Sequence, residues 1–212
     1  MAERGQFILF EGGEGSGKTG HSQAVVERLQ VEGHDVIWTR EPGGSNEVCA
    51  KIRETIMMED VVPRAELLLF LANRAQHVEQ VIKPALAEGK IVICDRFSPS
   101  TMAYQLSARR LDRPQFIRDM DDYARDGLWP DAIFYLHVPP EEGVKRRLAL
   151  EGVEGEEVNR LDKEAIDFHE RVHEQFERMA AESDAWVSIS TLGPREENTE
   201  KIYNAVKERL GL

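Results

Sequence analysis

A chain of 212 residues fits one α/β domain, with or without a mobile flap, because a core of this size buries most of its unfolded surface. Its formal charge of −12, from 27 basic against 39 acidic residues, argues against broad affinity for nucleic acid or an anionic membrane. Two cysteines, Cys49 and Cys94, are too few for a disulfide framework, and no apolar run has the length of a membrane span. These features predict a soluble cytoplasmic protein whose anionic ligands, if any, meet locally clustered cations.

Apolar runs predict buried parallel strands at Phe7 to Phe10, Val36 to Trp38, Ile91 to Cys94, Ala132 to Val138 and Trp186 to Ile189. Between them lie helix-length segments. PRAELLLFLANRAQHVEQVI opens at Pro63, a first-turn position, and is expected to be interrupted at Pro84. DKEAIDFHERVHEQFERMAAE carries Ile166, Val172, Phe176 and Met179 as one packing stripe among charges. The acidic, glycine-containing stretch LEGVEGEEVNR, 150 to 160, reads as a loop or lid. Strands alternating with helices predict a doubly wound parallel sheet that binds ligands beyond its carboxyl ends.

The first of those ends carries FILFEGGEGSGKTG. Gly12, Gly17, Lys18 and Thr19 satisfy G-x-x-x-x-G-K-[ST] between an apolar strand and a helix-like segment, the context a phosphate cradle needs. In such a loop, formed here by Gly12, Gly13, Glu14, Gly15, Ser16 and Gly17, backbone N–H groups wrap phosphate oxygens. Lys18 then reaches the outer phosphates and the Thr19 hydroxyl ligates Mg²⁺, so a nucleoside triphosphate such as ATP is the natural ligand.

Two further strand ends, TREPGG at 39 to 44 and CDRF at 94 to 97, place Arg40 and Arg96 where ligands bind. Phosphoryl transfer onto another phosphate brings two anions together and needs such arginines. Asp95 is suited to orienting Arg96 or holding a Mg²⁺-bound water.

These segments together resemble the thymidylate kinase family over nearly the whole chain. FEGGEGSGKT, TREPGG, LLLFLANRAQHVEQVIKPAL, DRFSPSTMAYQ and NRLD followed by FHERV carry the likeness. The resemblance implies a P-loop kinase fold, a five-stranded parallel sheet flanked by helices in a single domain with a lid at about 146–160. It implies conversion of dTMP to dTDP with ATP and Mg²⁺, a homodimer, and neither nucleic-acid nor membrane partners. By the same resemblance Glu14 binds the sugar 3′-hydroxyl, Arg40 and Arg96 the dTMP phosphate, and Phe70 stacks on thymine. Arg74, Thr101 and Gln105 read the base, and Tyr104 crowds the sugar 2′ position. Without an arginine in the phosphate loop, the family's lid supplies one; Arg146, Arg147 and Arg160 are the candidates, Arg160 first and Arg146 with it.

The chain departs from the family pattern at Gly20, where Thr or Ser is usual, and at Phe97, Pro99 and Leu106. Its lid is longer and more acidic, Leu150 stands where a lid arginine is common, and Asn159 and Asp162 flank Arg160. Three other readings are a kinase of dUMP or UMP, a nucleotide-binding module with weak catalysis, and a zinc protein. The last comes from His169-Glu170-Arg171-Val172-His173, which satisfies H-E-x-x-H.

Overall fold

The computed structural model describes residues 4–44, 46–153 and 158–212. Five strands, β1 (Phe7–Glu11), β2 (Val36–Arg40), β3 (Ile91–Asp95), β4 (Ala132–His137) and β5 (Trp186–Ser190), form one parallel sheet in the order β2-β3-β1-β4-β5. All five expected strands are present, four of them extending past the apolar run into polar residues and β4 ending at His137, one residue short of Val138.

Side chains of β1 alternate between two cores, which is why its sequence is continuously apolar rather than alternating. Ile8 and Phe10 pack with α1 (Lys18–Val31) and α9 (Arg195–Leu210) through Val25, Leu29, Ile202 and Val206. Phe7 and Leu9 face the other side, against Val78, Ile82, Leu86 and Phe97. The loops after β1 and β3 thus leave toward opposite faces, opening a crevice at the carboxyl end of adjacent strands.

The remaining helices are α2 (Glu47–Ile56), α3 (Pro63–His77), α4 (Lys83–Ala87), α5 (Ser98–Thr101), α6 (Pro114–Arg125), α7 (Pro140–Leu148) and α8 (Ile166–Ala180). Pro84 does not interrupt the long central helix as expected. A π turn, Val78–Ile82, joins α3 to α4, and Lys83 N donates to Val78 O five residues back. The wider turn accommodates a residue that has no N–H and whose ring crowds the carbonyl four residues back. A second π stretch, Met102–Ala108, continues α5 and carries Tyr104 and Gln105.

The α8 stripe is also corrected. Val172 and Phe176 are buried and Met179 packs against them, but Ile166 is exposed, and Phe168 takes the core position beside Tyr104. The expected lid falls on α7 and the loop after it; residues 154 to 157 of that stretch lie outside the described residues.

Candidate active site

The carboxyl ends of β2 and β3 deliver Arg40 and Asp95, and the loop after β1 delivers Glu14 and Lys18, to one open cleft of about 830 Å³. Among the described residues, seven arginines and Lys18 line it against four carboxylates, Glu14, Glu41, Asp95 and Asp162. A chain of net charge −12 therefore concentrates cations at one place, as an anionic ligand requires.

The loop between β1 and α1 is shaped by close backbone approach. Gly15 has φ of 67°, and a Cβ there would sit 2.0 Å from Gly143 O; a Cβ on Gly143 would in turn meet Glu14 O at 2.3 Å. The loop and the first turn of α7 can meet this closely only because both residues are glycine. Gly15→Ala is expected to cost on the order of 3 kcal/mol, seen as a melting point lower by roughly 10 °C. An unchanged melting point would show that the loop relaxes freely.

Inside the loop, Lys18 Nζ donates to Gly13 O at 2.7 Å and to Ser16 Oγ at 3.2 Å. Burial, with the nearby Arg96, brings the Lys18 ammonium down to about 8, against the opposing pull of Glu14, Asp95 and Glu11. Thr19 Oγ1 donates to Asp95 Oδ2 at 2.5 Å, while the buried Asp95 Oδ1 has no hydrogen-bond partner among the described residues. A hydroxyl and an unsatisfied carboxylate oxygen side by side are the oxygen donors that Mg²⁺ or its bound water takes.

Glu14 does not face solvent. Its Oε1 accepts from Arg96 NH2 and from Tyr104 OH, both at 2.7 Å. Burial alone would raise its pKa, but Arg96 and Lys18, helped by the Tyr104 hydroxyl, hold it at about 2. Arg96 also donates to Gly12 O at 3.2 Å and lies over the Tyr104 ring. The residues singled out from both sides of the cleft thus form one connected cluster.

On the far wall, Arg74 is fully buried and held by Glu41 Oε2 at 2.9 Å, by Asp121 and by Thr101 Oγ1 at 2.9 Å. Phe70 is half-buried and lines the cleft rather than joining a core cluster, and Thr101 and Gln105 line it too. Arg40 lines the cleft with no ion-pair partner among the described residues.

The lid arginines separate. Arg146 and Arg147 line the cleft, Arg146 pairing with Glu142 at 2.7 Å and Arg147 with Asp162 at 3.3 Å. Arg160, the first choice, does not line it. Its guanidinium donates to Ile56 O at the end of α2 and to Glu66 Oε2 at 2.5 Å, where it joins Arg109 in balancing a fully buried carboxylate on α3. At Gly20, where a hydroxyl was missed, the guanidinium of Arg195 from the start of α9 fills the space: a Cβ there would meet it at 2.7 Å.

Several partners escaped the sequence reading: Glu11, Glu41, Glu66, Asp121 and Arg195. A signal existed for one of them. Glu66, Asn73, Arg74 and His77 recur at helical spacing along an otherwise apolar segment, and all four are buried. Glu11 follows an apolar strand and accepts from Phe97 N, Ser100 N and Ser100 Oγ at 2.9, 3.1 and 2.6 Å.

Burial raises Glu11 to about 7, despite those bonds and the opposing charges of Arg96 and Lys18. The folded state keeps this proton while the unfolded chain has lost it, so stability falls as pH rises from about 4.5 to about 7. The penalty is about 3 kcal/mol. Glu11→Gln is expected to gain on the wild type over that window, read from melting points at pH 4.5 and 7.5. A gap that does not move with pH would refute it.

His169 and His173 lie on one face of α8 but do not build a zinc site. His173 Nδ1 shares a hydrogen bond with Tyr135 OH, and no cluster of three or more His, Cys, Asp or Glu suited to a metal occurs among the described residues.

A family model described as Thymidylate kinase matches residues 10–202. The chain belongs to the thymidylate kinase family. It is 43% identical over 208 residues to the thymidylate kinase of Synechococcus sp. (strain JA-2-3B'a(2-13)), covering 97% of this chain and 96% of that one. The thymidylate kinase of Nitratidesulfovibrio vulgaris (strain DSM 19637 / Miyazaki F) is 46% identical over 179 residues, 82% and 83% of the two chains. That of Bacillus pumilus (strain SAFR-032) is 38% identical over 210 residues, 97% of each. Membership of the thymidylate kinase family makes the chain a nucleoside monophosphate kinase, a transferase with the P-loop kinase fold, and no described helix is long and apolar enough to cross a membrane.

Proposed function

We propose that the protein transfers the γ-phosphoryl group of ATP to dTMP, giving dTDP and ADP, with Mg²⁺, in the cytoplasm and as a homodimer. Glu14 carries this reading. A carboxylate of the phosphate loop turns to Arg96 and Tyr104 on the acceptor side, so one loop reaches donor and acceptor at once.

In this reading the ATP phosphates lie in the loop from Gly12 to Thr19, with Lys18 on the outer phosphates. Thr19 and Asp95 would hold Mg²⁺, which would supply charge neutralisation for the donor phosphates. Arg40 and Arg96 clamp the dTMP phosphate, Glu14 accepts the 3′-hydroxyl, and Phe70 stacks on thymine against Arg74, Thr101 and Gln105. Tyr104, buried beside Glu14, leaves little room for a 2′-hydroxyl.

A dTMP phosphate oxygen attacks the γ-phosphorus as its bond to the bridging oxygen breaks, and ADP leaves with that electron pair. The attacking phosphate is already largely ionised near pH 7, so no general base is required. The protein's task is to bring two anions together, and cations must gather at the moving phosphoryl group. Arg146 and Arg147, which line the cleft, fill the lid role expected of Arg160.

The test is ADP release with ATP and Mg²⁺ and each of dTMP, dUMP, UMP, dCMP and dGMP as acceptor. Preference for dTMP supports the reading, and a higher kcat/KM for UMP or dUMP would replace the substrate. ATP binding with no turnover on any acceptor would make the protein a binding module.

A further inference from the structure

We infer that Glu66 is a positioning residue that fixes which way the Gln105 amide faces the cleft, and so selects a pyrimidine carrying a hydrogen on N3 over one that lacks it. The inference rests on the proposed placement of the acceptor base against Phe70 and Gln105.

Glu66 is fully buried on α3, and its carboxylate gathers three side chains, two from the π stretch and the residue that ends it and one from the segment before α8. Oε1 accepts from Gln105 Nε2 at 2.8 Å and from Arg109 Nε at 3.4 Å; Oε2 accepts from Arg109 NH2 at 3.3 Å and from Arg160 NH2 at 2.5 Å. Two guanidiniums balance the charge, so Glu66 acts as an acceptor only. An amide beside an acceptor-only group must turn its NH₂ toward it. Gln105 Oε1 is thereby turned away from Glu66, and no donor meets it among the described residues. Gln105 is almost fully buried yet lines the cleft.

A base stacked on Phe70 therefore meets an acceptor that cannot rotate into a donor. Thymine and uracil present N3–H and satisfy it. Cytosine presents the N3 lone pair, and two acceptors face each other, a mismatch that costs most where polar groups are buried. Specificity lies in the carboxylate behind the amide as much as in the amide itself.

The probe is 5-methyl-dCMP, which keeps the methyl group of dTMP and reverses only the hydrogen-bonding edge. Wild-type kcat/KM for dTMP is expected to exceed that for 5-methyl-dCMP by about 10²-fold or more. Equal use of the two acceptors would overturn the inference without any variant. In Glu66→Gln, position 66 can donate or accept, the Gln105 amide can turn over, and the ratio is expected to fall by about tenfold or more, with 5-methyl-dCMP turnover rising in absolute terms. A merely structural Glu66 would lower the melting point and both turnovers together with the ratio unchanged, and that result would also overturn it. A wild type that turns over neither acceptor would defeat the kinase reading itself, a failure distinct from a dTMP kinase that ignores the edge.

Discussion

Lys18→Ala is expected to lower kcat with dTMP by about 10²- to 10³-fold or more, the loss seen when a preorganised charge donor at a reacting centre is removed. The fold should survive it. Lys18 is buried beside Arg96, and burial and that like charge bring its ammonium down to about 8, so its removal takes away a desolvated charge along with its attraction to Glu14 and Asp95. The same cause predicts a pH signature. Below about 8 the ammonium is charged; above it, kcat/KM for ATP falls by about tenfold per pH unit, since that ratio reports the free enzyme. kcat measured at saturating ATP holds to higher pH, because bound phosphates favour the charged form. Circular dichroism and melting separate lost folding from lost chemistry, and a Lys18→Ala protein that keeps most of its turnover would remove this residue from the mechanism.

What the sequence disclosed and what it hid follow from the range of the interactions. Strands buried on both faces advertise themselves as continuous apolar runs, and the phosphate loop is a local pattern whose glycines answer to backbone geometry within a few residues. Both were legible, as was the clustering of Arg40 and Arg96 at strand ends. Partnership across the chain was not. Arg74 pairs with Glu41 and Asp121, 33 and 47 residues away, and Glu66 meets Arg160 across 94. Nothing local in ELLLFL announces that Glu66 will draw in a lid arginine, so Arg160 was expected over the phosphates instead of against α2 and α3. Pro84 misled for a different reason. A proline forbids the ordinary helical turn, and only the packing of Val78 and Ile82 on the sheet shows why the chain widens one turn rather than stopping.

Arg96→Ala and Arg96→Gly should both abolish activity, by about 10³-fold or more, and yet differ in stability. Arg96 has φ of 70°, a left-handed conformation that costs a side-chain-bearing residue on the order of 1 kcal/mol and that glycine adopts freely. The strain aims the guanidinium back across the cleft, where it meets Glu14, Gly12 O and Ser100 Oγ. Either substitution takes the largest opposing charge from the partly buried Glu14, leaving Lys18 and the Tyr104 hydroxyl to hold it, and Glu14 should then regain a proton more readily. Alanine keeps the backbone strain after the reason for it has gone; glycine releases it. Arg96→Gly is therefore expected to melt above Arg96→Ala by roughly 2–4 °C with neither turning over dTMP. Equal melting points would mean that the loop after β3 relaxes without its arginine. Activity surviving in either variant would mean that Arg40 alone can hold the acceptor phosphate. The two readouts separate what Arg96 does for the reaction from what its backbone costs the fold.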